Sequence, residues 1–440
     1  MQQNRSRALL KRLDTRFGWT SLGFLFALIV SELALRIVGF SQPILHQPEQ
    51  LRGYAGRPNA AGVYSREGRA FVRMNRDGLR DYNHTIEKPP NTLRIAVLGD
   101  SYSEALQVTI DKTYWSVLQE ELNEDCASLS QQGYQAEIVN FGVSGYGTAQ
   151  QLLTLQNHVW RYDPDIVLLA FLPTNDIHDN SKDVGYTYRA RLYNVPYFVY
   201  NEDGELVLDG DGKIEEGKAL RLRIHALWPT KLAIHTINNS RILQLLYVFR
   251  LRLSSYLASV FKPQQVAEDN SQAVQRPVGL PDEVDLEYPA PVYSPPASPD
   301  WVEAWQITED LLAQAIQDTH DNDAQFFLTV LTNPEAVNPD LSIREGVLKS
   351  YQAENFDYPG DRLESFAKKQ DVDGFISLQK PFQAHTVKNP LCLHGFKNGV
   401  ECSGHWNEMG HRLAGELVAT EMCSVLTENL QSSLTKDHHR

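Results

Sequence analysis

The chain has 440 residues, 42% hydrophobic and 22% charged, a composition that buries a core and excludes a disordered or fibrous protein. Lys and Arg number 41 against 55 Asp and Glu, a net charge of −14 with His neutral, which disfavours nucleic acid as a partner because phosphates need a basic surface. Four cysteines with no Cys-x-x-Cys pair are too few for a disulfide scaffold and argue against a zinc ribbon.

One local shift stands out at the start. Residues 1–16 carry Arg5, Arg7, Lys11, Arg12 and Arg16 against the single acid Asp14, and residues 17–40 are largely apolar. At about 1.5 Å rise per residue this segment is long enough to cross a bilayer. Basic residues before it and few after it favour a cytoplasmic N-terminus and an extracytoplasmic (periplasmic) remainder, which makes this a single-pass transmembrane anchor. Glu32 and Arg36 are spaced to pair on one helix face. The alternatives are a cleaved signal peptide, for which no small-x-small site follows cleanly, and a buried soluble helix.

Residues 41–92, rich in Gly, Pro and Arg, read as a lead-in of loops and edge strands. Leu93–Leu98 is a short apolar run that predicts a buried strand, followed by a helix with Trp115, Leu118 and Leu122 on one face. Ile138-Val139 and 165–171 predict two more strands, with a helix around Leu152 and Leu155 between them. Strand and helix alternating in this way predict a parallel sheet covered on both faces. Residues 181–300 interrupt the pattern: 198–208 read as a hairpin, 220–261 as helical packing, an amphipathic lid or a membrane-surface face, and 263–300 as a polar linker. The alternation resumes with a helix over 301–319, strands over 325–332 and 374–378, a helix over 362–369 and a final helix over 407–425, before a polar tail at 431–440.

Four blocks fall after the predicted strands or before the last helix. Gly99-Asp100-Ser101 follows the first strand, Asn140-Phe141-Gly142-Val143-Ser144-Gly145 the second, and Pro173-Thr174-Asn175-Asp176 the third; Gly404-His405-Trp406-Asn407 precedes the final helix. Ligands of open α/β sheets sit beyond the carboxyl ends of the strands. A serine there needs a base to become a nucleophile, and His405 is the candidate. Standing alone, each block has a bland reading: a helix cap, a tight turn, an Asx turn, a packed His. His411, inside the final helix, reads as packing. Cys392 and Cys402 bracket a loop just before His405, and Cys126 and Cys423 lie near ends of predicted helices. Four cysteines allow three pairings, and ordinary buried thiols are the alternative.

Taken together and in this order, the blocks resemble the SGNH/GDSL family of serine hydrolases, over residues 93–180 and 320–430 with 181–300 as an insertion. The anchored layout resembles envelope branches that trim or add acyl groups on polysaccharides. The resemblance implies a three-layer α/β/α, flavodoxin-like parallel sheet in a hydrolase domain over 93–430. It makes Ser101 the nucleophile and His405 the base, with Ser101 N–H, Gly145 N–H and the Asn175 side chain as oxyanion donors. It implies no metal and no cofactor. The expected reaction is removal of an acyl group, acetyl first, from a cell-envelope glycan or related ester; an O-acyltransferase and a non-catalytic binding module are the alternatives. This sequence departs from the family at two places. The Asp expected two or three residues before the histidine is replaced by Ser403 and Cys402, so Glu401 is the nearest candidate for the orienting acid. Pro173 stands where Gly is usual.

Overall fold

The computed structural model describes residues 2–184, 195–210, 212–261 and 290–437. The chain forms two compact units, Met1–Ile44 with Leu227–Pro263, and Leu45–Ala226 with Gln264–Arg440. The stretch 181–300, expected as one insertion, is therefore divided between the two units. The lead-in from Leu45 onward belongs to the larger one. Most of the expected linker over 263–300 lies outside the described residues.

In the smaller unit one helix runs from Gln2 to Ile37. Its apolar span, Trp19–Ile37, has a mean hydropathy of 1.7 and none of it is buried. Glu32 and Arg36 form the expected pair, 2.8 Å apart. Two further helices, Trp228–Asn239 and Arg241–Phe261, complete the unit.

The larger unit is built on a five-stranded sheet: β1 (Thr92–Leu98), β2 (Gln135–Asn140), β3 (Ile166–Phe171), β4 (Gln325–Val330) and β5 (Gly374–Ser377), in the spatial order β2-β1-β3-β4-β5. Every pairing in it is parallel. Side chains alternate between the faces, and both faces are covered. Ile95 and Val97 pack with Tyr114, Trp115, Leu118, Val418 and Met422 on one side. Ala96 and Leu98 pack with Leu152, Trp305, Leu311 and Ile316 on the other. Burial on both faces is why β1 and β3 read as continuous apolar runs rather than alternating ones. This is the doubly wound order in which the winding reverses between β1 and β3, and the crevice at that reversal is where such folds bind ligands.

Two hairpins precede the sheet. His46–Glu49 pairs with Gly53–Gly56, and Ala61–Tyr64 pairs with Ala70–Arg73, both antiparallel. The expected hairpin over 198–208 is present as Phe198–Tyr200 against Leu206–Leu208. Both of the disulfides considered from the sequence are formed. Cys126–Cys423 joins the segment after helix Tyr114–Glu124 to the final helix Glu408–Asp437, and Cys392–Cys402 closes the loop before His405.

Candidate active site

Ser101 opens a four-residue helical turn at the end of β1, immediately after Asp100, whose carboxylate accepts the Tyr102 N–H at 2.9 Å. Ser101 Oγ lies 2.8 Å from His405 Nε2. The histidine arrives on a loop stiffened by the Cys392–Cys402 disulfide and by the Gly395 N–H donating to the His405 carbonyl at 2.9 Å. Thus the nucleophile and base expected from the sequence meet, although 304 positions separate them.

The orienting acid is not Glu401. That side chain is exposed, and the ring is held instead by Glu67, in the turn of the second hairpin. One carboxylate oxygen of Glu67 accepts the His405 backbone N–H at 2.7 Å and the other lies 2.6 Å from Nδ1. Burial alone would raise the Glu67 carboxyl, but its hydrogen bonds and proximity to His405 hold it below the ordinary value. Ionised, it has only acceptors, so Nδ1 carries the proton and the Nε2 lone pair faces the Ser101 hydroxyl. Burial likewise disfavours a charged His405, yet the Glu67 carboxylate outweighs it and raises the imidazole above 6.5.

Glu67 was invisible to motif reading because it belongs to none of the four blocks. The trace it leaves is indirect. Gly404 has φ +72°, and a β-carbon there would run into the Glu67 carboxylate, so a glycine before the histidine leaves room for the acid. Asn398 Nδ2 donates to the Gly68 carbonyl at 2.7 Å, tying the histidine loop to the turn that carries Glu67.

Asn175 lies in the first turn of helix Pro173–Asn180, after β3, and its amide donates to Asp100 at 2.8 Å. Pro173 takes the start of that helix, where its fixed φ suits the first turn and its missing N–H costs nothing, so the departure from Gly leaves Asn175 in place. Asp176 fixes the turn from beneath by accepting the Leu172 N–H at 2.7 Å, Thr148 Oγ1 at 3.0 Å and Gln151 Nε2 at 2.9 Å. Burial and the nearby Asp100 push its carboxyl well above the usual range.

Gly145 follows β2 with φ +79°. The loop that holds it is fastened from two sides. Glu104, fully buried, accepts the Ser144 N–H at 2.9 Å and the Ser144 hydroxyl, and lies 2.7 Å from His46 Nε2. Tyr54 Oη donates to the Ser144 carbonyl at 2.8 Å, and Tyr146 Oη donates to the Tyr54 carbonyl at 2.5 Å. The lead-in hairpins therefore reach the site at two points, Glu67 at the histidine and Tyr54 with His46 at the glycine loop.

A cleft of about 290 Å³ opens over this edge, lined by Ser101, His405, Asn175, Leu172, Asn333 and Glu335 among others. Tyr293 Oη donates to Glu335 at 2.9 Å and accepts from Asn333 Nδ2 at 2.6 Å. Of the aromatics near the motifs, Tyr146 and Trp406 are buried in the core, while Tyr102 borders the cleft. His411 is buried against Tyr114, its Nδ1 accepting the Tyr114 N–H at 3.2 Å, and burial lowers its pKa to about 3, as a packing role requires.

No protein-family model matches the sequence, and no curated protein matches it. Among solved structures the chain is similar to TesA, at 12% identity over 76% of this chain and 99% of that one with a TM-score of 0.32. It is also similar to the acetyl xylan esterase AlAXEase, at 13% over 75% and 98% with a TM-score of 0.32. A GDSL-like lipase from Bacteroides thetaiotaomicron matches at 12% over 74% and 86%, with a TM-score of 0.29.

Proposed function

We propose that this protein is a membrane-anchored serine esterase of the SGNH type that removes acyl groups, acetyl first, from an extracytoplasmic glycan or related ester. The observation that carries the reading is the chain Glu67–His405–Ser101, with contacts of 2.6 and 2.8 Å, at the winding reversal of a parallel sheet. A hydroxyl 2.8 Å from a neutral imidazole that a carboxylate holds in one tautomer is an activated nucleophile.

In this reading Ser101 Oγ attacks the ester carbonyl and Nε2 of His405 takes its proton. The oxyanion is met by the N–H groups of Ser101 and Gly145 and by the Asn175 amide. His405 then returns the proton to the leaving alcohol, and water repeats the steps to free Ser101. Glu67 stabilises the imidazolium that forms in each half of the cycle and stays ionised throughout. The anchor reading rests on the apolar span Trp19–Ile37, none of it buried, behind a basic tail.

The test is hydrolysis of short-chain aryl esters and acetylated sugars by the full chain and by Ser101→Ala, with fluorophosphonate labelling of both. Wild-type turnover and labelling, both lost in the variant, support the esterase. Folded wild-type protein that neither labels nor turns over any ester would leave a binding module. Acyl transfer to an added glycan that outruns release to water would make it a transferase.

A further inference from the structure

The helix pair Trp228–Asn239 and Arg241–Phe261 takes no part in the site. Not one residue of the first helix is buried. Trp228 and Leu232 stand four apart on it, exposed; on the second, Leu245, Phe249 and Leu253 form an exposed stripe at the same spacing, with Leu246 beside it. Large apolar side chains gathered on consecutive helices ask for a cover. From Leu227 to Leu253 the sequence holds Lys231, Arg241, Arg250 and Arg252 and no Asp or Glu, in a chain whose net charge is −14.

What covers these helices is indicated by where they are fastened. Glu32, within the apolar span Trp19–Ile37, accepts the N–H groups of Arg241 at 2.9 Å and Ile242 at 3.0 Å and the Ser240 hydroxyl at 3.0 Å, and so caps the second helix. Arg36, paired with Glu32, donates to the Asn239 carbonyl at 2.7 Å, at the end of the first helix. Glu32 lies five residues before Ile37, about 8 Å from the end of the span at the rise of an α-helix. A carboxylate at that depth needs partners, and here the corner between the two helices supplies them. The corner is thereby held about 8 Å before the end of the apolar span.

We propose that residues 228–253 form a membrane-surface element, with Trp228, Leu232, Leu245, Leu246 and Phe249 in the acyl region of the leaflet at the C-terminal end of the anchor and Lys231, Arg241 and Arg250 at anionic phospholipid headgroups. This rests on the anchor reading given above. A basic helix pair with an apolar stripe and no acid matches the chemistry of such a surface.

The test uses the full chain in vesicles of phosphatidylcholine and phosphatidylglycerol. Single cysteines are introduced as Trp228→Cys, Leu246→Cys and Phe249→Cys, with Phe26→Cys in the anchor and Tyr134→Cys in the larger unit as references. All four native cysteines are paired and do not take the label. Each variant carries a polarity-sensitive fluorophore and is quenched by brominated lipid or by aqueous iodide. Labels at 228, 246 and 249 should lose emission to brominated lipid, like the one at 26, while the one at 134 answers only to iodide. Lipid quenching at 26 with iodide quenching alone at 228, 246 and 249 overturns the proposal and leaves the anchor standing. Labels at 228, 246 and 249 shielded from both quenchers would overturn it in favour of a protein partner or second copy. Iodide quenching at 26 would sink the anchor itself. Three independent positions keep the result readable should one variant fail to fold.

Discussion

Glu67 grips His405 at two points, the backbone N–H at 2.7 Å and ring Nδ1 at 2.6 Å, across 338 positions of sequence. The double contact fixes the loop and the imidazole with one carboxylate. Glu67→Gln keeps the size but presents an NH₂ to one of two donors, so one contact turns repulsive. By the serine-protease template, losing the orienting carboxylate costs about 10⁴ in turnover. We expect kcat on an aryl acetate to fall by about 10³–10⁴ with Tm little changed. Glu401→Gln, at an exposed position, should behave as wild type. A Glu67→Gln enzyme running at the wild-type rate would take Glu67 out of the mechanism.

The same pair sets the pH dependence. Burial pulls His405 down, Glu67 pulls it up, and the net direction is up from 6.5. In the proposed mechanism Nε2 must be unprotonated to accept the Ser101 proton, so kcat/KM should rise with pH through an apparent pKa above 6.5 and then level off. In Glu67→Gln the larger raising contribution is gone, while burial and the smaller pull of Asp100 remain, so the acid limb should move to lower pH. Rate profiles of both enzymes from about pH 5 to 9 decide it; a limb that does not move would mean another group titrates there.

The sheet and the positions of Ser101, Asn175 and His405 could be read from the chain because each is written locally. A strand buried on both faces is an apolar run, and Ser101, Asn175 and His405 each sit in a block beside a strand end or helix start. Glu67 had no such marker. It lies between two four-residue strands in a Gly- and Arg-rich stretch, where a carboxylate ordinarily points to solvent. Its role exists only through a long-range contact, and the signs of that contact, Gly404 and the Asn398 hydrogen bond, have meaning once the fold is known. Helices Leu341–Tyr351 and Gln379–Lys388 carry a weak signal for a different reason: three and two buried residues respectively leave little apolar periodicity.

The glycine loop offers a test that separates positioning from chemistry. Glu104 and Tyr54 hold Ser144 through its N–H, hydroxyl and carbonyl, one residue before Gly145. Tyr54→Phe removes one of these bonds and no bulk. If Gly145 N–H meets the oxyanion, loosening this loop weakens the transition state more than the ground state. Tyr54→Phe should lower kcat by about tenfold, and Glu104→Gln by more, with KM nearly constant. A change confined to KM would place the loop in substrate binding instead.

Asn175 donates to the buried Asp100 and faces the cleft. If the Asn175 amide meets the oxyanion, Asn175→Ala should cost about 10²–10³ in kcat, the usual effect of one lost donor. Asn175→Asp should do worse and also lower Tm, because it places a third carboxyl beside Asp100 and Asp176, two buried acids already pushed towards the neutral form. Steady-state kinetics and thermal melts of the two variants check this. Equal Tm values for both would show that Asp100 and Asp176 do not sense position 175.

Gly404 closes the argument for the acid. Its φ of +72° is one that a side chain adopts only at a cost, and a β-carbon would collide with both the Oε1 and Cδ atoms of Glu67. Gly404→Ala leaves Ser101, His405 and Glu67 chemically intact but drives the carboxylate off the ring. Its kcat should therefore fall towards that of Glu67→Gln, and the double variant should be little worse than either alone, since residues that act as a unit are not additive. A shorter acid gives the β-carbon room: Glu67→Asp in the Gly404→Ala background should recover part of the lost rate, whereas in the wild-type background it should only slow the enzyme. Independent, multiplicative losses in the Gly404→Ala, Glu67→Gln pair would separate the glycine from the triad and assign its effect to the loop backbone.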